Sequence, residues 1–445
     1  MIIPLTPNAI KYVINHLFLV AWKDVLNEIS ICVADDRCSA TATVRGKKIT
    51  FKISEQTHID ELIQGKASLS KIDTADGRYS IPISLENNLP FAEIKDNELC
   101  INADIISLSF IMLTRYEEKV INERDIFGRF ESKNSIAVKY NFIDFPIVDE
   151  YAMILQIYLK KLFSEENFTT SECKIIPTHD VDEPLRFDGP INTLKNILRC
   201  IYLYKNLSMF FSAVWQYFQL VSNRKKDPYL ETIYELATIS KKYNLKSEFY
   251  FMGAVPGCID YGYEIETPHV LNTISFIQQQ GMIIGFHGGY DLNTSTNSEQ
   301  FTKEKKRIED ATIQKIIGGR QHYLAFDINS SFKVWEECDM KYDSTLGYAE
   351  REGFRCGTCY EYSLYDFEND KEYTVKERPL IVMDGTLCKD RKLKTDEAYN
   401  QMVKLYLRCQ FVGGNFVILW HNSFSAKRPN WFKKVYYRFF GNFCK

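Results

Sequence analysis

Neither sign of charge is in excess: 55 Lys and Arg face 58 Asp and Glu, a formal net charge of −3 over 445 residues. Phosphate binding wants a clearly basic surface, so no nucleic-acid partner is expected. The first residues, Met1-Ile2-Ile3-Pro4-Leu5-Thr6-Pro7, lack a basic stretch followed by a long apolar run, and no signal peptide is expected. There is no internal repeat and no low-complexity tract, which excludes repeat architectures. The twelve cysteines have no framework spacing, which fits reduced thiols in a cytoplasm. The close pair Cys356-Gly357-Thr358-Cys359 has no second pair or neighbouring His to complete a zinc site, and reads as buried or incidental thiols.

What is present is an ordinary globular composition, 45% hydrophobic and 25% charged, in a chain long enough for two domains. Asn206 to Asn223 carries no charge but is too polar for a good membrane span, and an amphipathic helix packed on the body is expected there. The carboxyl-terminal run from Trp431 to Phe440 mixes cations with aromatics. It is either a final helix docking on the domain or a contact with an anionic membrane surface. A polar stretch, Ser164 to Ser171, suggests a boundary, giving a smaller α+β unit over 1–168 and a second domain over 169–445. The first holds strand-like runs at Ala40 to Val44 and Lys48 to Ile53 and helix-like runs at Ile105 to Tyr116 and Tyr151 to Leu162.

Beyond the boundary, apolar runs at Glu248 to Met252, Met282 to Phe286, Leu380 to Met383 and Asn415 to Trp420 alternate with amphipathic stretches. Those stretches are Tyr229 to Tyr243, His269 to Gln280, Phe301 to Ile317 and Ala398 to Leu407. Such alternation predicts a parallel sheet curled into a barrel, whose active site belongs at the strand ends. The residues that can carry chemistry fall there. Thr178-His179-Asp180-Val181-Asp182 follows Ile175-Ile176, and its carboxylates at i and i+2 share a face. They repel unless a cation or proton lies between them; the alternative is a turn cap.

Of the seven histidines, His179, His287, His322 and His421 sit at strand ends. His287 and Asp291 are spaced as two ligands on one helical turn, although Gly288 and Gly289 weaken the helix. Asp291 could instead cap the following turn. Arg320 could hold a carboxylate base ionised. His421 is either satisfied in the core or poised as a general acid, with Asp384 as its natural partner.

Taken in order, these motifs resemble those of the polysaccharide deacetylases, the NodB-homology group of carbohydrate esterases. The likeness runs from about Lys174 to Ser423. It includes Thr178 to Asp182, Arg320-Gln321-His322-Tyr323, Tyr342-Asp343-Ser344-Thr345-Leu346-Gly347 and Leu419-Trp420-His421-Asn422-Ser423. The first half, with Arg115-Tyr116-Glu117-Glu118 and Phe127-Gly128-Arg129-Phe130, resembles the accessory domain such proteins carry.

The resemblance implies an α/β fold, a distorted (β/α) barrel of NodB-homology type, and metal-assisted removal of acetyl from a sugar. It makes Asp180 the general base, held by Arg320, and His421 the general acid, oriented by Asp384. Asp182, His287 and Asp291 become ligands of a divalent metal, zinc first and cobalt, manganese or nickel as alternatives. Asp291 stands where the family often has a second His, and Gly288 where it often has Ser or Thr. The backbone N–H of Tyr323 would hold the oxyanion, and Leu419 would meet the substrate. His322, where the family often has Pro, would be a further ligand or a substrate contact, while His179 packs behind the site.

The expected partner is an acetylated glycan precursor, met in the cytoplasm before export, with the inner face of the membrane as a further location. Two rival readings are a non-catalytic sugar-binding relative and a hydrolase of small N-acyl or amide compounds.

Overall fold

Alternating buried residues set the first sheet: in Ser39–Val44 the side chains of Ala40, Ala42 and Val44 are buried and those between them are not. The computed structural model describes residues 5–85, 89–169, 171–202, 205–222, 224–257 and 263–444. Met1 to Pro4, Thr170 and Asn223, read above from sequence, lie outside these. Strands β1 (Ser30–Val33), β2 (Ser39–Val44) and β3 (Lys47–Lys52) come first, then the separate antiparallel pair β4 (Ser70–Asp73) and β5 (Ser80–Ile83). With β6 (Ala92–Lys95) and β7 (Glu98–Ile101) the larger sheet has the order β1-β2-β3-β7-β6. Helix Ile105–Thr114 is buried along its whole length. Asp104 caps it, accepting from the N–H groups of Ile106 and Ser107, and Arg115 ends it in the left-handed region at φ 55°.

The remaining strands form one curled sheet of nine, a half-barrel in a mixed α/β fold. They are β8 (Lys174–Val181), β9 (Glu248–Met252), β10 (Ile283–Gly288), β11 (Gly318–Gln321), β12 (Tyr342–Asp343), β13 (Tyr362–Asp366), β14 (Lys371–Glu377), β15 (Val382–Met383) and β16 (Asn415–Leu419). Their order is β13-β14-β12-β11-β10-β9-β8-β16-β15. Every pairing is parallel except the β13–β14 hairpin. Helices Pro228–Lys242, Pro268–Gln279, Ser298–Thr312 and Thr395–Val412 supply crossovers. All parallel strands therefore end on one side, where a site can be assembled from several loops.

Two glycines explain why β11 fits. A Cβ on Gly318 would fall on the Tyr342 ring, and one on Gly319 would fall on the Phe286 carbonyl. Only residues without side chains let β11 lie that close to its neighbours.

Several elements differ from the sequence-based expectation. The stretch Phe301 to Ile317 is not one helix, because Ile313 turns left-handed at φ 55° and frees the chain to enter β11. Residues 206–222 do form a helix, Leu207–Val221, with the Asn206 side chain accepting from Met209 N–H. Little of it packs on the body, however: among its residues only Ala213 is buried. At the carboxyl end, Phe432, Tyr436, Phe439 and Phe440 turn into the core, leaving Lys433 and Lys434 exposed. Among the described residues no helix is long and apolar enough to cross a membrane.

Candidate active site

Strand β8 delivers Thr178 and Asp180 to the inside of the half-barrel, both buried. Arg320, at the end of β11 two strands beyond β9, reaches across to them. Its Nη1 donates to Asp180 Oδ1 at 2.8 Å and Thr178 Oγ1 at 2.9 Å. Its Nε and Nη2 donate to the Ser344 carbonyl at 2.7 Å and Ser344 Oγ at 2.9 Å, and its guanidinium lies over the Tyr250 ring. A fully buried arginine with four bonds is a rigid cation, and it fixes the orientation of the Asp180 carboxylate.

Asp182, His287 and His322 converge beside Asp180, with one candidate ligand atom from each lying within 4.8 Å of the others. His287 Nδ1 makes a 3.0 Å hydrogen bond to the Arg320 carbonyl, and since that oxygen only accepts, Nδ1 carries the proton. Nε2 is then left with a lone pair, and it faces Asp182 Oδ1 at 3.1 Å. Both atoms are buried without a hydrogen-bond partner. Two acceptors pointed at one another in a buried site need a proton or a cation between them. An imidazole, a second imidazole and a carboxylate make a donor set suited to zinc or a similar divalent ion. The residues present fit such an ion. Burial opposes ionisation of both partners, yet the charges offset it: His287 is raised by Asp180 and Asp182, and Asp182 is lowered by His322 and His287.

His421 closes the site from the end of β16. Its Nδ1 bonds Asp384 Oδ1 at 2.7 Å, while Asp384 also accepts from the N–H groups of His421 at 2.8 Å and Gly385 at 2.7 Å. Nε2 is thereby turned toward the site, 3.8 Å from Asp182 Oδ2. Burial works against its charge, but Asp384 and then Asp182 and Asp180 lift its pKa to about 9. A cavity of about 320 Å³ opens beside these groups, lined among others by Asp180, Asp182, His322, Tyr323, Leu419 and His421.

Nine of the ten residues singled out from sequence thus lie in or directly behind one site. Asp291 does not join the ligand group. It follows β10 in a turn rather than a helix, and its carboxylate lies against Gly257. His179 packs behind the site, bonded to the Trp420 carbonyl at 2.8 Å, and burial pushes its pKa down to about 4. Gly288 has a steric reason: a Cβ there would fall on the Gln321 side chain. Cys356 and Cys359 are buried and free.

Three contributors carried no role in the sequence reading. Ser344 clamps Arg320, and only its place in a recurring motif marked it. Phe127 and Arg129, from the first half of the chain, line the same cavity. Phe127 stacks on Tyr323 at 4.7 Å between centroids, and Arg129 Nη1 donates to the Tyr323 carbonyl at 3.3 Å. No local pattern announces a contact nearly two hundred residues away in sequence.

The profile of a family of unknown function, DUF7033, matches residues 2–164. No curated protein matches the chain. Among solved structures, the chain is similar to a protein from Mycobacterium smegmatis provisionally described as a polysaccharide deacetylase. Identity there is 15%, coverage is 62% of this chain and 85% of that one, and the TM-score is 0.40. It is also similar to a mutant of BA3943, described as a CE4 family pseudoenzyme with restored enzymatic activity. Here identity is 12%, coverage is 61% of this chain and 65% of that one, and the TM-score is 0.30. At these values neither likeness assigns an activity to this chain.

Proposed function

We propose that the protein is a metal-dependent hydrolase that removes acetyl groups from a carbohydrate. The observation that carries this reading is the facing of His287 Nε2 and Asp182 Oδ1, both buried and without hydrogen-bond partners, beside a carboxylate held by Arg320. Asp182, His287 and His322 would hold the ion, without need of Asp291. When bound, a divalent cation there supplies a Lewis acid that polarises an acyl oxygen and acidifies water.

The chain's own groups account for the remaining steps. Asp180, fixed by Arg320, takes a proton from water as the water oxygen attacks the acetyl carbon. The Tyr323 backbone N–H is assigned to the oxyanion, and Leu419 to the substrate wall. His421, charged at neutral pH through Asp384, gives its Nε2 proton to the departing nitrogen or oxygen. The bond from the acetyl carbon to that atom breaks, and acetate and the free amine or alcohol leave. The ordered motifs from Thr178 to Ser423 support a polysaccharide-deacetylase-like assignment. We assign residues 1–168 to an accessory domain and 169–445 to the barrel, a division supported by the profile match ending at Ile-rich helix Ile147–Leu162 and its following turn.

The test is elemental analysis of the purified protein together with acetate release from a panel of acetylated oligosaccharides. Stoichiometric zinc or another divalent ion with chelator-sensitive acetate release is expected. No metal and no release would leave a sugar-binding protein instead, and release from small amides alone would assign the protein to that substrate class.

A further inference from the structure

Helices Gly189–Tyr202 and Leu207–Val221 pack together as a hairpin, and the hairpin leaves a broad apolar surface uncovered. In the first helix Ile191, Leu194 and Leu198 are 70%, 59% and 49% exposed; in the second Phe211, Trp215 and Phe218 are 66%, 56% and 48% exposed. Spacings of three and four place each set on one face of its helix. Soluble proteins seldom present so many contiguous large apolar side chains to water without a partner.

Charge says which partner. From Gly189 to Lys226 the chain has Lys195, Arg199, Lys205, Arg224, Lys225 and Lys226 and no Asp or Glu, in a protein whose net charge is −3. All of these cations but Arg199 are exposed. A second copy would bring the same excess of positive charge, so self-association is opposed, whereas an acidic lipid surface complements it. The helices have 14 and 15 residues, too short to span a bilayer and suited to lying in its interface.

The hairpin is also firmly rooted. Asp227 accepts from the N–H groups of Arg186 and Phe187 at 2.9 and 3.0 Å, and Arg186 Nη1 donates to Gln216 at 2.6 Å. This root follows Asp182 by only a few residues.

We propose that the hairpin docks the protein on an anionic lipid surface, its apolar faces entering the acyl boundary and its cations meeting acidic headgroups. The carboxyl-terminal basic and aromatic segment instead buries Phe432, Tyr436, Phe439 and Phe440 in the core, so the uncovered apolar side chains are those of the hairpin.

Flotation of the full chain with phosphatidylcholine vesicles, with and without phosphatidylglycerol, tests this. Binding to the phosphatidylglycerol vesicles is expected, weakening as salt is added. A variant with Phe211→Ser, Trp215→Ser and Phe218→Ser, and another with Arg224→Gln, Lys225→Gln and Lys226→Gln, should each bind about tenfold more weakly or worse. The charge variant alters only exposed side chains, so it reads out docking even if the aromatic variant misfolds. Absence of flotation overturns the proposal, as does equal binding by the charge variant or equal binding to neutral vesicles. A concentration-dependent dimer in sedimentation that the aromatic variant abolishes would assign the face to a second copy and overturn it too.

Discussion

Asp180 and Asp182 stand two residues apart, yet their surroundings give them different work. Asp180 is bound by a buried guanidinium and Asp182 faces three imidazoles, those of His287, His322 and His421. On the proposed function, Asp180→Asn should therefore abolish acetate release while leaving metal content unchanged, since the candidate ligand atoms are untouched. His287→Ala should lose the metal as well, and metal content measured alongside acetate release separates the two. His179 offers a prediction about stability rather than chemistry. Its folded pKa of about 4 lies below the ordinary value near 6.5, so the unfolded state binds the proton first as pH falls. The stabilisation from keeping His179 neutral is fully present above about pH 6.5 and is lost as pH falls toward 4, on the order of 2 kcal/mol by pH 5. Urea unfolding at pH 7 and pH 5 should show this loss in the parent chain and a smaller one in His179→Asn.

Strand β11 shows what an element owes to residues that do no chemistry. Arg320 and His322 reach the site only because Gly318 and Gly319 let the strand press against β10 and β12. Gly319→Ala sets its methyl against the Phe286 backbone, which cannot move aside, and should cost at least about 2 kcal/mol and lower metal binding with it. Gly288→Ala meets side chains, those of Gln321 and Phe286, rather than backbone and should cost less; thermal unfolding of both variants checks the ranking. The helices and strands of the second half were largely legible in sequence, because apolar period and caps act locally. Asp180, His287 and His421 were marked by the apolar runs upstream of them and Arg320 by its motif alone; the four lie together in the structure. Where the reading failed, the cause was not local. The candidate ligand group holds His322 and not Asp291, because the turn after β10 carries Asp291 toward Gly257, a matter of tertiary path. Helix Leu207–Val221 was legible as a helix, but not its exposure, since periodicity marks an apolar face and not what covers it.

Across the whole molecule, the first half of the chain is built into the second. Glu118 accepts from Arg115 Nε at 2.9 Å and from Arg355 Nε and Nη2 at 3.0 and 2.7 Å, all three residues being buried. Arg355 in turn donates to the Gly347 carbonyl at 2.8 Å, at the end of the loop whose Ser344 clamps Arg320. Removing one charge from such a buried group leaves the others uncompensated, and Glu118→Gln should destabilise the fold by about 3–5 kcal/mol. The same half reaches the cavity through Phe127, whose ring lies on Tyr323. If the cavity takes the proposed acetylated sugar, an aromatic face beside it offers apolar contact to the C–H surface of a sugar ring, and the contact is the same before and during reaction. Phe127→Ala should thus raise KM for an acetylated oligosaccharide several-fold with kcat little changed. A fall in kcat with KM unchanged would instead mean that Phe127 acts through Tyr323, holding its backbone N–H where the oxyanion forms. Steady-state kinetics on this one variant decides whether the first half of the chain binds substrate or positions the N–H assigned to the oxyanion.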